Sequence, residues 1–297
     1  MRLTLLLHGG QGHATGTPAF PWHWDPTVLL GLGVAAVGYA LLAWRLWRKT
    51  GRFERRAAAS WGLGLAVVFL ALESPLDAVA EESLLSAHML QHGLLMSVAP
   101  PLLLLGLYPR LVVPFTRPVL KPLLRNRRVH AVLRELSNPV WALGLWFGVL
   151  YAWHLPALYG MALRNEAVHV LQHVFFLNAG LVFWLPVIEP VPALVRMGTR
   201  AKLGYLAAAE VGMALPAALL VWGPELYPFY ESADALWGLS TEGDRRLAGL
   251  VMVVVDMVVV LSFAGWILLR EASEWERRER RRNAAPAVEG EKVWQST

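Results

Sequence analysis

Ser86-Ala87-His88-Met89-Leu90-Gln91-His92-Gly93-Leu94-Leu95-Met96-Ser97-Val98-Ala99-Pro100-Pro101 lies inside an apolar run from Leu84 to Leu107. A run of this length meets the roughly 20 residues a helix needs to cross the hydrocarbon of a bilayer. Read as a helix, it sets His88, His92 and Met96 at i, i+4 and i+8, so two imidazoles and a thioether share one stripe. That is a metal-ligand pattern in a segment where polar groups are expensive and mark function. Met89 falls one position off the stripe and reads as packing.

The pattern returns at Val168-His169-Val170-Leu171-Gln172-His173. A gapless shift of 81 positions superposes Pro75 on Pro156, His88 on His169, Gln91 on Gln172 and His92 on His173. Two segments therefore carry matched His-x-x-x-His faces. The two glutamines suit hydrogen bonds that orient ligand imidazoles, or hydrogen bonds between helices. Pro100 and Pro101 are expected to break the helix below His92 and free backbone carbonyls.

Composition agrees with a membrane location. The 297 residues are 56% hydrophobic, and the mean hydropathy of +0.44 excludes an ordinary soluble domain. With no cysteine, disulfides and thiolate metal sites are excluded, which leaves His and Met as soft-metal ligands. The formal charge of +5 comes from basic residues clustered between apolar runs, so insertion topology explains it and no nucleic-acid partner is expected.

Seven apolar segments can be drawn: Thr27–Leu46, Ala58–Leu72, Leu84–Leu107, Val140–Trp153, Ala167–Ile188, Leu203–Trp222 and Leu247–Leu269. The fold class is accordingly all-α, a polytopic membrane protein with seven transmembrane helices. Of the 27 Lys and Arg, 23 fall at the C-terminal end of the first segment, in the loops after the first, third and fifth segments, or in the tail. The positive-inside rule puts those on the cytoplasmic side, with the N-terminus outside and the C-terminus cytoplasmic. Segments two-three and four-five then form a parallel internal repeat. The expected organisation is an extracytoplasmic segment 1–26, a bundle 27–270 and a charged cytoplasmic tail 271–297, whose Glu and Arg alternate at helical spacing before it frays near Ala285. The run Met1–Leu7 is too short for a signal peptide and reads as part of the mature chain. Trp44, Trp47, Trp61 and Trp141 are expected at the inner interface, and Trp22, Trp24, Trp153 and Trp222 at the outer one.

This topology gathers His88, His92, His154, His169 and His173 near the outer face, with Met96 on the same stripe. Neutral imidazoles with Met96 and Met252 nearby suit copper, Cu(I) above all, because thioethers are soft donors. Zinc stays open, since imidazole binds it well. Glu73 and Asp77 are expected as outer carboxylates that attract a cation. Gln91 and Gln172 are accessory. Glu210 and Asp256 lie near mid-membrane without a basic partner, and His8, His13 and His23 read as solvated.

At these residues the chain resembles a known family. Trp24-Asp25-Pro26, Ser74-Pro75-Leu76-Asp77, His88-Met89-Leu90-Gln91-His92 with Ala99-Pro100-Pro101-Leu102, Trp153-His154-Leu155-Pro156, and Asp244 followed by Ala248-Gly249-Leu250-Val251-Met252 look like the CtaG family of integral-membrane cytochrome c oxidase assembly factors. The resemblance implies a multi-pass protein of a bacterial inner (cytoplasmic) membrane that helps to build caa(3)-type oxidases, plausibly by delivering copper to the oxidase core. Its partners would be oxidase subunits, the lipid bilayer and a soluble copper donor on the outer side. The family pattern commonly has Gln after the Asp matched by Asp244 and Trp after the Met matched by Met252. This chain has Arg245 and Val253, a departure that weakens a role for that outer loop.

The expectation is a copper-binding, chaperone-like protein and not an enzyme. Two alternatives remain at this level. Paired histidines on neighbouring membrane helices can clasp a haem, and a His cluster beside Glu73 and Asp77 could serve a metal-dependent membrane enzyme.

Overall fold

The computed structural model describes residues 21–114, 138–190, 197–224 and 238–284. Residues 1–20, with His8 and His13, lie outside the described residues, as do much of the basic loop after the third apolar segment and the tail from Ala285 onward. All regular secondary structure among the described residues is helical. Helix α1 spans Pro26–Thr50, α2 Arg55–Glu73 and α3 Pro75–Glu82. Helix α4 spans Leu85–Gly106, α5 Pro139–Trp153, α6 Pro156–Arg164, α7 Glu166–Ile188, α8 Thr199–Trp222 and α9 Thr241–Ala284.

The ends of these helices follow from local chemistry. Asp25, Ser74, Asn138 and Asn165 each accept a backbone N–H from the first turn of α1, α3, α5 and α7, respectively. Pro26, Pro75, Pro139 and Pro156 stand at first helical positions, where the missing N–H is no loss. Gly51, with φ of 67°, closes α1 in the left-handed conformation that glycine adopts without strain.

Six helices are long and apolar enough to cross a membrane, and α5 with α6 makes a seventh if the pair, bent by 70°, counts as one span. This is a multi-pass helical membrane protein. The bend has a local cause: Pro156 offers no N–H to continue the ladder of α5, and the residue before it, Leu155, is extended (φ −67°, ψ 129°). Helix α9 runs unbroken for 44 residues, Thr241–Ala284, so the charged stretch after residue 270 is helical as its Glu and Arg spacing suggests.

Helix α4 is the most enclosed of the spans and α1 the least. It packs on α2, α7 and α9. Its N-terminus is held from outside itself: the Asp244 carboxylate at the start of α9 accepts from the backbone N–H of Leu85 (2.7 Å) and Ser86 (3.1 Å) and from the Ser86 hydroxyl. These bonds satisfy two of the four donors that a helix start leaves open. Asp244 is therefore a positioning residue for the histidine helix.

Pro100 and Pro101 do not break α4. The strain is taken up one turn earlier, where Leu94–Val98 winds as a π-helical turn. Pro100 deprives the Met96 carbonyl of its usual donor, and that carbonyl faces Gly180 of α7, where an added Cβ would stand 2.2 Å from the oxygen. Only glycine allows the two backbones to approach so closely. Within the π turn Ser97 Oγ donates to Asp256 Oδ1 at 2.6 Å.

One tryptophan expected at an interface sits differently: Trp153 is buried in the main core, where packing inside the bundle wins over a lipid-facing seat. Trp61 is half-buried and stacks on Tyr39 with ring centroids 4.9 Å apart. Trp22, Trp24, Trp44, Trp47, Trp141 and Trp222 are exposed.

Candidate metal centre

Four of the five clustered histidines meet. His88 and His92 of α4 and His169 and His173 of α7 are all buried, and one potential ligand atom from each lies within 4.8 Å of the others. Ring centroids are 4.2 Å apart within each helix pair and 5.3 Å and 5.8 Å apart across the helices. Four nitrogens placed tetrahedrally at ~2.1 Å from one ion stand ~3.4 Å apart. The quartet would close on an ion by moves of ~0.7 Å per side chain.

Neighbouring groups orient the rings. His88 Nδ1 lies 3.2 Å from the Ala80 carbonyl, which can only accept, so that proton sits on Nδ1 and Nε2 carries the lone pair. His169 Nδ1 lies 2.6 Å from Glu81 Oε1. Its proton is thereby held on Nδ1, and its Nε2 is buried without a hydrogen-bond partner, as is Nε2 of His173. A carboxylate or carbonyl behind each ring is the arrangement that fixes metal-ligating imidazoles and raises their basicity. Tyr159 and Phe176 pack on the rings of His88 and His92 at 5.2 Å and 4.3 Å.

A vestibule of about 650 Å³ leads to the quartet, lined by His23, Asp77, Glu81, Glu166, His169 and His173 among others. Burial, then repulsion from Glu81, raises the Asp77 carboxyl above its ordinary range, against hydrogen bonds from His23 and Gln91. The Glu81 carboxyl is held lower, chiefly by its hydrogen bond with His169. The mouth of the site is acidic and would draw in a cation.

A family model for the cytochrome c oxidase caa3 assembly factor matches residues 37–274, from near the middle of α1 through most of α9. The chain belongs to this family. Its curated relatives include uncharacterized proteins of Mycobacterium bovis and Mycobacterium tuberculosis, each 26% identical over 277 residues, covering 88% of this chain and 40% of the relative. A Mycobacterium leprae protein, also uncharacterized, is 24% identical over 266 residues, covering 82% and 39%. The chain spans about two fifths of the length of these relatives. No solved structure matches this member of the assembly-factor family.

Several expected site residues of this family member sit elsewhere. His154 does not join the quartet: its Nδ1 turns back to the Leu150 carbonyl at 2.6 Å, because the end of α5 bends away into α6. Met96 and Met252 line a separate inner cavity, with Met89, which was expected only to pack. Glu73 is fully buried and tethers the N-terminal segment, accepting from Asp25 N at 3.0 Å and, through its backbone, from His23 N at 2.8 Å. Gln91 serves no imidazole. It donates to Asp77 Oδ1 at 2.5 Å and to the Ala71 carbonyl at 2.8 Å. Gln172 is buried with neither amide atom hydrogen-bonded.

His23 is not simply solvated, since its Nδ1 lies 2.6 Å from Asp77 Oδ2. Sequence reasoning missed Glu81, which backs His169, and Met213, which joins the inner cavity, because neither carries a periodic signal.

Proposed function

We propose that this protein takes up a copper ion at the outer face, holds it as Cu(I) on His88, His92, His169 and His173, and passes it to a cytochrome c oxidase subunit during assembly. The convergence of four buried imidazoles on one point, two of them backed by the Glu81 carboxylate and the Ala80 carbonyl, carries this reading. Neutral nitrogen donors in an apolar shell favour a monovalent soft ion, because no ligand charge is available to balance a divalent one. The family supplies the oxidase as the destination, and the acidic vestibule supplies a docking mouth for a copper donor.

The same reading places the protein in a bacterial inner membrane with the N-terminus outside and the C-terminus in the cytoplasm. It treats α2-α3-α4 and α5-α6-α7 as parallel repeats, each giving half of the site. Both triads run from a span through a short proline-initiated helix into the helix that carries the histidine pair. Zinc would fit the donor geometry equally, and only measurement separates it from copper. Donors that converge on a point suit an ion better than a porphyrin, whose axial ligands need a planar slot between them. A fourth protein ligand also fills the position that a catalytic metal keeps open for water or substrate, so no reaction is assigned.

The test is metal content and absorption of the purified protein after loading with Cu(I) under reducing conditions. No Soret band is expected. Copper per chain should fall by the same amount in His173→Ala as in His88→Ala/His173→Ala, since ligands of one ion act as a unit. Stoichiometric haem, or a double variant that loses twice what the single loses, would overturn the single shared copper site.

A further inference from the structure

We infer that the protein has a second soft-metal site, deeper in the membrane than the quartet, built from methionine sulfurs and the Nδ1 atom of His92. Met89, Met96, Met213 and Met252, half of the chain's 8 methionines, line one inner cavity with His92 and His154. They come from α4, α8 and α9, and all four are buried. Methionine usually fills core gaps because it is flexible. Here a gap of about 20 Å³ remains in a cavity lined by these four methionines and the two histidines, with Ser97 and Phe176 among the other lining residues. That is room for one water-sized ion.

The hydrogen bonds of the quartet decide which atom His92 turns toward this cavity. His88 keeps its proton on Nδ1 for the Ala80 carbonyl, so His88 Nε2 can only accept. His92 Nε2, 2.8 Å away, must then be the donor. The lone pair of His92 is left on Nδ1, which is buried and has no hydrogen-bond partner. A buried bare nitrogen lacking a donor is costly unless something fills it, and the group beside it is a set of thioethers. Neutral nitrogen with thioether sulfur selects a soft monovalent ion such as Cu(I) or Ag(I) over Zn(II).

A neutral imidazole has one lone pair, so His92 serves the quartet through Nε2 or the inner cavity through Nδ1, never both at once. The two sites would therefore exchange an ion through a shared residue, from imidazole donors outward to sulfur donors inward. The inner site rests on its own residues and does not require the quartet to be a copper site.

The probe is Ag(I), which is closed-shell and sulfur-seeking, with X-ray absorption as the readout. In a His169→Ala/His173→Ala background, which leaves every inner-cavity residue in place, the protein should still bind one silver per chain with sulfur in its first coordination sphere. Adding Met213→Leu/Met252→Leu, a nearly volume-conserving change, should remove the bound silver and its sulfur signal while leaving the melting temperature within a few degrees. Loss of silver in the histidine background alone, or silver without sulfur neighbours, would overturn the inner site. Retention of the sulfur signal after the methionine substitutions would do so as well. The copper reading of the quartet fails separately, in the His88 and His173 variants.

Discussion

Glu81 Oε1 stands 2.6 Å from Nδ1 of His169, across the gap between the short helix α3 and the long helix α7. The contact joins the two halves of the site: Glu81 belongs to the segment that leads into His88 and His92, yet it orients a histidine of the opposite pair. It fixes the His169 proton on Nδ1 and frees Nε2 for an ion.

Glu81→Gln should keep a hydrogen bond but lose the charge behind the ring, and Glu81→Ala should lose both. The expected result is a copper affinity lowered between about 10- and 100-fold, with alanine the worse, at unchanged stoichiometry. Titration against a cuprous chelator of known affinity reads this directly. An affinity equal to wild type in Glu81→Ala would show that the contact does not support the ligand.

Gly180→Ala puts a methyl group 2.2 Å from the Met96 carbonyl oxygen and 2.6 Å from Pro100 Cγ. Backbone cannot yield as a side chain does, so helices α4 and α7 must separate. Overpacking of this kind destabilises by about 1–3 kcal/mol, and copper occupancy should fall because the two histidine pairs ride on those helices. Gly144→Ala is the control, since nothing lies within 4 Å of its added Cβ. Thermal melts in detergent should show a loss for Gly180→Ala alone.

The orientation proposed for the bundle rests on where its positive charge lies. A green fluorescent protein fused at the C-terminus should fluoresce, and alkaline phosphatase at the same position should be inactive. Fusions of phosphatase to the start of α1 or to the α6–α7 turn should give the opposite result. An active C-terminal phosphatase would invert the bundle and turn the vestibule, with its acidic mouth, toward the cytoplasm.

The sequence by itself determined the helical membrane class, the approximate positions of the spans and the two matched histidine pairs. Each of these depends on local periodicity: hydrophobic length shows a span, and i, i+4 spacing puts two side chains on one stripe whatever the rest of the chain does. Tertiary structure alone decided which stripes face each other. The rotation of α4 against α7 is set by the Gly180–Met96 approach and the Asp244 clamp on Leu85 and Ser86, residues far apart in the chain. That rotation brings His88, His92, His169 and His173 together, and the 70° bend after α5 keeps His154 out of the group. The same packing gathers Met89 with Met96, Met213 and Met252. Thioethers on three different helices share a cavity only when those helices have been pressed together, and no spacing along the chain encodes that.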